Sequence, residues 1–382
     1  MKVTIAIDSF KGSLSTFEAG NAAKEGIKEV YPDANVIISP LADGGEGTVD
    51  AVIESAGGEY VSAFVHNPIG EMIKARYGII KERNLAVMEM SAAAGITLIS
   101  ECDKNPLNTT TYGVGEMVKD ALDKGMRKFL IGIGGSATND GGVGMLQALG
   151  FKFTDEEGKD VPFGAKGLEK ICSISDEGKD SRLSECEFYI ACDVKNPLCG
   201  DNGCSFIYGP QKGATEDMIK DMDAWLLNYA VLTKNVNPQS DCNFPGSGAA
   251  GGMGFAFMAY LGGTLKSGIE LVMAETGIEE HIKDSDFVIT GEGRLDGQSY
   301  MGKAPIGVSK LSKKYGKKVI AFSGAVTDDA AVCNEHGIDA FFPIVKAPCT
   351  LADAMNKETA YKNLKATAVQ VFNLIKVMEK AT

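Results

Sequence analysis

The sequence predicts an α/β protein of two domains, in which a parallel-sheet domain is interrupted by an inserted mixed α/β domain. Short apolar, β-branched runs alternate with helical patterns in residues 1–60 and again in 285–382, which is typical of buried parallel strands. Residues 59–91 instead alternate apolar and polar side chains around turns, as antiparallel hairpins do. A chain of 382 residues is also too long for one simple core.

The first domain begins at the N-terminus. Residues 3–7 (VTIAI) form a buried-strand pattern, and the capping box at 15–18 (STFE) opens a helix. With residues 36–38 and the C-terminal segment, at least five buried strands result. We therefore expect a discontinuous Rossmann-like domain over 1–60 plus 285–382, an inserted mixed α/β domain over 61–284, and an active site in the cleft between them.

Composition narrows the class of partner. The formal net charge of −13 argues against nucleic acid, because phosphate backbones are met by clustered Lys and Arg. Nine Cys without CxxC or Cys/His metal spacing favour reduced thiols over disulfides or zinc. No segment has the length and apolarity of a membrane span or a signal peptide. We expect a cytoplasmic protein that binds small molecules, with no nucleic-acid or membrane partner.

The stretch 132–144 (GIGGSATNDGGVG) has six Gly in thirteen residues. Glycine lets consecutive N–H groups point into one concavity, which suits phosphate. An apolar run precedes the stretch and another follows, so the order reads strand, glycine turn, helix, with the helix N–H groups facing the turn. Asp140 adds a carboxylate that could hold a cation. The alternative is a flexible surface loop.

Polar residues also follow several strands, where open α/β sheets bind ligands. Asp8 and Lys11 lie in the loop after the first strand, where they are well placed for chemistry. The alternative is that they only form a solvated ion pair with each other. Asp43 lies in a glycine-rich loop and suits magnesium or a substrate hydroxyl. Asp193 and Asn196 form a candidate catalytic corner, with an ordinary Asn-Pro turn as the alternative.

Three matches to nucleotide-binding motifs lack the structural context that they need. Residues 246–254 fit G-x-G-x-x-G, but no buried strand precedes them. Residues 132–137 fit the G-x-G-x-x-A variant, but 139–142 interrupt the required helix. Residues 297–303 fit G-x-x-x-x-G-K, but Ala304 stands where a P-loop has Ser or Thr. These matches keep a nicotinamide-dependent hydroxy-acid dehydrogenase as the alternative function, beside a non-enzymatic acidic ligand-binding protein.

Seven motifs in this order resemble the bacterial type-1 glycerate kinase family, and the resemblance covers nearly the whole chain. The motifs are 8–13 (DSFKGS), 42–48 (ADGGEGT), 132–142, 192–198 (CDVKNPL), 209–214 (GPQKGA), 248–254, and 290–293 (TGEG) with 302–305 (GKAP). The resemblance implies ATP- and magnesium-dependent phosphorylation of D-glycerate, at the 2-hydroxyl, by a two-domain α/β enzyme without a P-loop. A homodimer is the candidate assembly.

Phosphoryl transfer asks a protein for positioning and charge stabilisation, which gives the candidate residues their expected roles. Arg294 offers two parallel hydrogen bonds to the carboxylate of glycerate. The expected set is Asp8, Lys11 and Asp193 for catalysis; Gly134, Gly135, Ser136, Asn139, Gly141 and Lys212 for ATP; Arg294, Glu292 and Asn196 for glycerate; and Asp43 and Asp296 for magnesium.

Overall fold

A computed structural model describes residues 1–297, 299 and 303–380. The chain divides into two compact units, each built from separate stretches of sequence. The first unit contains Met1–Asp43, Asp50–Ala56 and Val272–Thr382, and the second contains Gly44–Val49 and Gly57–Leu271. These bounds differ from the expected 60/61 and 284/285, because residues 44–49 pack with the second unit and the chain from Val272 packs with the first.

Strands and helices are numbered in chain order. The strands are β1 (Lys2–Ile7), β2 (Asn35–Ile38), β3 (Glu59–His66), β4 (Met72–Ile80), β5 (Leu85–Glu89), β6 (Lys128–Gly132), β7 (Lys152–Thr154), β8 (Ser173–Ser175), β9 (Glu187–Ala191), β10 (Thr264–Lys266), β11 (Phe287–Leu295), β12 (Lys318–Val326) and β13 (Ala340–Pro343). The helices are α1 (Thr16–Val30), α2 (Thr48–Ala56), α3 (Ser91–Ala94), α4 (Tyr112–Asp123), α5 (Val143–Ala148), α6 (Ala165–Leu168), α7 (Cys204–Tyr208), α8 (Glu216–Thr233), α9 (Ala249–Leu261), α10 (Gly268–Thr276), α11 (Ile278–Lys283), α12 (Ala304–Lys314), α13 (Val332–Glu335), α14 (Leu351–Met355) and α15 (Lys357–Glu379).

The first unit is built on a sheet with the strand order β13-β12-β11-β1-β2, in which every neighbouring pair is parallel. Its strands bury apolar side chains such as Ile5, Ile289 and Phe322. The expected capping box is present, since Ser15 and Glu18 exchange hydrogen bonds at the start of α1.

The second unit is built on a sheet with the order β10-β9-β6-β5-β4-β3. Strands β10, β9, β6 and β5 run parallel, while β4 pairs antiparallel with both β5 and β3. The predicted hairpin around residues 67–70 is the β3–β4 connection. The prediction of a mixed α/β fold with parallel sheets is therefore confirmed. Among the helices that the structure describes, none is long and apolar enough to cross a membrane.

Candidate active site

In the first unit, polar side chains meet where β1, β11 and β12 end or approach their ends. The N–H of Asp8, directly after β1, donates to Gly291 O at 2.9 Å. Glu292 follows Gly291 in β11 and pairs in register with Ser323 of β12, whose Oγ donates to Glu292 O at 3.0 Å. The parallel register thus brings Asp8 and Glu292, predicted from separate motifs, to the same edge of one sheet.

Asp8 is a carboxyl group at this end of the sheet whose pKa is strongly shifted. Its side chain is buried, and Oδ1 accepts the N–H of Ser9 at 2.7 Å. Burial, followed by the charge of Asp43, raises the pKa of Asp8 to about 7, although the Ser9 N–H and Lys11 oppose the shift. A carboxyl group with a pKa near neutrality can both accept and return a proton at physiological pH.

Lys11 supplies positive charge beside Asp8. Its Nζ donates to Asp43 Oδ2 at 2.8 Å, and the Lys11 side chain is 65% exposed. Burial opposes protonation, but Asp43, Asp8 and Glu292 together raise the pKa of Lys11 above its usual value. An exposed ion pair of this kind adds little to stability. The consequence of this ion pair is that Lys11 stays positively charged beside Asp8, which can accept a proton.

A second charged group lies along β11 and the residues after it. Ser299 Oγ donates to Glu292 Oε1 at 2.7 Å, and Ser299 N donates to Asp296 Oδ1 at 3.1 Å. Lys303 Nζ lies 3.6 Å from Glu292 Oε2 and 3.4 Å from Asp296 Oδ1. Arg294 Nε lies 3.6 Å from Asp296 Oδ2. Burial raises the pKa of Glu292, and Ser299 and Lys303 partly counter it.

The two expected magnesium ligands differ in their surroundings. Asp296 faces both Lys303 and Arg294, whose charges compete with a metal ion. Asp43 contacts Lys11 and lies near enough to Asp8 to raise its pKa, so two carboxylates approach each other there. Within the described residues, no group of three or more His, Cys, Asp or Glu could hold a metal. Both carboxylates face a cation, so these ion pairs alone do not separate them. Asp43 also lies beside Asp8, and magnesium commonly uses one or two carboxylates with substrate phosphates, which favours Asp43.

In the second unit, the glycine stretch forms an exposed turn just after β6. Gly134 and Gly135 are exposed, and Gly135 has a φ of 75°. Ile96 N donates to Gly135 O at 2.9 Å and holds the backbone of the turn. Within the described part of the chain, the N–H groups of Gly134, Gly135 and Ser136 donate to no protein acceptor. Three consecutive unused N–H groups suit an anion.

Two glycine-rich loops of the sequence pack together in this unit. A Cβ on Gly132 would lie 2.1 Å from Gly44 O, and one on Gly44 would lie 2.5 Å from Ala191 Cβ at the end of β9. Gly44 also has a φ of 85°. Only glycine permits this approach of three backbone segments.

The later part of the glycine stretch is interior, which argues against ATP-binding roles for Asn139 and Gly141. Asn139 is fully buried, and its Nδ2 donates to Ser205 Oγ at 2.9 Å. Gly141 N donates to Gly251 O at 2.9 Å. Their polar groups are directed into the core of the unit rather than toward solvent.

Asp140 stabilises the chain locally rather than holding a cation. This fully buried carboxylate accepts Thr111 N at 2.8 Å, Gly142 N at 3.1 Å and Gly144 N at 3.3 Å. Helix α5 begins only at Val143, so the expected helix N–H groups do not face the turn. Asp140 satisfies the first of them.

Lys212 reaches the turn from inside the unit. It is 2% exposed, and its Nζ donates to Ser136 Oγ at 2.8 Å and to Thr138 O at 2.6 Å. Burial lowers the pKa of Lys212 to about 8, against the opposing effects of Cys204 and Asp140. This placement does not expose the ammonium group to a ligand in the turn.

The expected catalytic corner is locally braced. Asp193 is exposed, and its Oδ1 accepts Gly268 N, at the start of α10, at 3.1 Å. Asn196 Nδ2 donates to Asn202 O at 2.9 Å, and its Oδ1 accepts the Tyr208 hydroxyl at 2.7 Å. Both ends of the Asn196 amide are thus occupied, which argues against a substrate-binding role.

The G-x-G-x-x-G match at 246–254 also belongs to the core. A Cβ on Gly251 would lie 2.1 Å from Thr138 O, and Ala250 and Gly252 adopt positive φ inside α9. These glycines allow tight backbone packing, and no strand precedes them. The match therefore gives no support to a dinucleotide site.

Sequence reasoning passed over several polar residues of these regions. Glu89 ends β5 and its Oε1 accepts Val49 N at 3.0 Å. Its signal was present, since it closes an apolar run as Asp8 does. Lys303 belongs to the G-x-x-x-x-G-K match and to the GKAP motif, but no role in the site was predicted for it, and its neighbour Gly302 lies outside the described residues. Ser299 and Ser323 carry no sequence signal, because only the fold brings them to Glu292.

Comparison with known proteins gives one consistent family. A model of the glycerate kinase family matches residues 3–376. The chain is 48% identical to a glycerate 2-kinase of Escherichia coli (strain K12), over 95% of each chain. It is 44% identical to a glycerate kinase of Haemophilus influenzae, over 98% of this chain and 99% of the relative. A crystal structure of a candidate glycerate kinase 2 from Salmonella typhimurium LT2 superposes with a TM-score of 0.90 at 44% identity, covering 100% of this chain and 99% of that one.

Proposed function

The chain belongs to the glycerate kinase family and is a phosphotransferase with an alcohol group as acceptor, and we propose that it transfers the γ-phosphoryl group of ATP to the 2-hydroxyl of D-glycerate. A relative named glycerate 2-kinase supports the position of transfer. None of the relatives described above is named as a dehydrogenase, so they do not support that alternative.

The observation that carries the proposal is the meeting of Asp8 and Glu292 at the edge of the first sheet. When only the five strands of this sheet are numbered, in chain order, the sheet has the order 2-1-3-4-5. This is a doubly wound order, and it supports a Rossmann-like description. In such sheets the ligand site lies at the carboxyl ends of the strands where the order reverses. Here that point lies between β1 and β11, which carry these two carboxyl groups to the same edge.

Asp8 is the proposed general base. Its Oδ2 accepts no hydrogen bond within the described part of the chain, so it can take the proton of the 2-hydroxyl. The hydroxyl oxygen then forms a bond to the γ-phosphorus as the bond from that phosphorus to the bridging oxygen breaks, and ADP leaves. Lys11 stabilises the negative charge that develops on the transferring group. Arg294 is the proposed partner of the glycerate carboxylate, since its side chain is 67% exposed.

The turn 134–136 is the proposed site for ATP phosphates. Its unused N–H groups match an anion, and the glycines let the backbone approach it closely. Asp43 is the proposed magnesium ligand. When bound, magnesium neutralises charge on the phosphate oxygens.

The product settles the proposal. Phosphorus NMR of a reaction with D-glycerate and ATP should show 2-phosphoglycerate and ADP in equal amounts. A reaction without D-glycerate is the control for ATP hydrolysis. Accumulation of 3-phosphoglycerate in the absence of other enzymes would contradict the position of transfer, and the absence of any phosphorylated acid would contradict the activity.

A further inference from the structure

Lys212 is a buried cation that forms no ion pair within the described residues. Two of its three ammonium hydrogens are accounted for, because Nζ donates to Ser136 Oγ and to Thr138 O. Burying an ammonium group without a carboxylate partner is costly. The buried ammonium group of Lys212 therefore adds little to the stability of the fold. Its role is better explained by the groups to which it donates hydrogen bonds.

The two acceptors of Lys212 flank one side of the proposed ATP-phosphate turn. Ser136 is the last residue of the turn, and Thr138 lies two residues later. Ile96 N also donates to Gly135 O. The turn is thus held by one backbone hydrogen bond from Ile96 and by the side chain of Lys212.

We propose that Lys212 is a positioning residue that acts through Ser136, holding the turn and directing the Ser136 hydroxyl hydrogen outward, and that it does so only when it is protonated. The inference rests on the proposed function of the turn. A hydroxyl oxygen that accepts from an ammonium group must direct its own hydrogen elsewhere. Ser136 then adds a fourth donor to the three N–H groups of residues 134–136.

Deprotonation would reverse this hydrogen bond. A neutral amine has a lone pair, so it can accept the hydrogen of Ser136 Oγ, and the turn would lose both this donor and the nearby charge. The pKa of Lys212, lowered to about 8 by burial, places the change just above neutral pH. The groups facing Nζ are Ser136 and Thr138 O, with Cys204 and Asp140 as the nearby titratable groups. Both of these favour the charged lysine.

The test is the affinity for ATP in the presence of magnesium, measured by calorimetry between pH 7 and 9.5. Wild-type affinity should fall as the pH rises through about 8 and level off once Lys212 is neutral, by about tenfold or more in total. Lys212→Met should bind ATP at least about tenfold more weakly at pH 7, the scale of a charge-assisted hydrogen bond, and should show no such pH step. Lys104→Met is the matched control, since Lys104 is a largely buried lysine of the same unit that pairs with Glu101.

A Lys212→Met protein that binds ATP as wild type does at pH 7, or that keeps the pH step, overturns the inference. If that variant does not fold, Ser136→Ala takes its place, because it removes only one small group. It should weaken ATP binding at pH 7 and reduce the pH step; an unchanged step overturns the inference. Failure here leaves the phosphorus NMR result for the wild-type enzyme untouched, so the proposed activity and this inference stand or fall separately.

Discussion

The two units have different groups at the carboxyl ends of their parallel strands: titratable side chains in the first unit and backbone N–H groups in the second. In the first unit, the ends of parallel strands carry carboxylates and lysines, and burial raises the pKa values of Asp8 and Glu292. In the second, the end of β6 carries glycines and unused N–H groups, and the buried Lys212 contacts Ser136 at the end of the turn. The comparison teaches that a strand end only provides a position. Side chains that titrate suit proton transfer, whereas backbone donors suit a ligand whose charge does not change during binding.

The largest expected effect tests the first unit. Asp8→Asn keeps the size and the Ser9 hydrogen bond but removes the proton acceptor, so kcat should fall by about a hundredfold or more. Affinity for ATP should stay within about twofold of wild type, because the proposed phosphate turn is unchanged. Asp328→Asn is a control for loss of a carboxylate elsewhere in the unit. A kcat near wild type would remove Asp8 from the reaction.

The next effect tests the second unit. In Gly135→Ala, the nearest atom to the new Cβ would be Ser91 Cβ at 3.6 Å, an ordinary van der Waals contact. The strain therefore comes mainly from the left-handed φ of residue 135. Relieving a strain of about 1–2 kcal/mol should turn the N–H groups away and weaken ATP binding by about tenfold. Gly125→Ala is the matched control, since Gly125 has a φ of 86° and open space around its Cα. Equal ATP affinity in both variants would contradict the phosphate site.

A smaller effect separates the two proposed metal ligands. Asp43→Asn should raise the magnesium concentration needed for half-maximal activity by about fivefold or more, because oxygen charge is what this ion selects. Asp296→Asn should change it less, since Asp43 is the carboxylate that lies beside Asp8, the proposed general base. The opposite ranking in a magnesium titration would exchange the two assignments.

The last prediction concerns the free energy of unfolding rather than activity. The folded-state pKa of Asp8, about 7, lies above the value of 3.8 expected for the unfolded chain, so the folded protein retains a proton that the unfolded chain loses in between. Wild-type stability relative to Asp8→Asn should therefore fall as pH rises from about 4 to about 7, by up to about 1.4 kcal/mol per pH unit. Denaturant unfolding at several pH values measures this difference, and a constant difference across the window would contradict the raised pKa.

The sequence predicted the elements better than the interior contacts. Apolar runs and a capping box located β1, α1 and β11, because these signals are local. Asp8 was predicted correctly as a polar residue directly after a strand, whereas Glu292 lies inside β11 rather than after it. The proximity of the two residues depends on the pairing of β1 with β11, which lie far apart in the sequence. Asn139 and Gly141 were drawn into the predicted phosphate site because glycine density alone does not distinguish a ligand turn from close backbone packing.

The inward direction of Lys212 could not be predicted either. A lysine in a GPQKG turn is most often exposed, and its burial depends on the packing around α7 and the turn after β6. The loop 44–49 was assigned to the first domain by the predicted boundary, although it belongs to the second unit, for a similar reason. Its membership in the second unit depends on Gly44 and Gly132, whose close approach is a tertiary property.

We propose that Asp8 accepts the proton during the transfer and that the turn 134–136 binds the phosphates of ATP. Single-turnover kinetics with measured ATP affinity, on Asp8→Asn and Gly135→Ala side by side, test this proposal most directly. We predict a hundredfold slower transfer at normal ATP affinity for Asp8→Asn, and weaker ATP binding with nearly normal transfer at saturating ATP for Gly135→Ala. If both variants lose affinity and rate together in equal proportion, the division of roles is wrong.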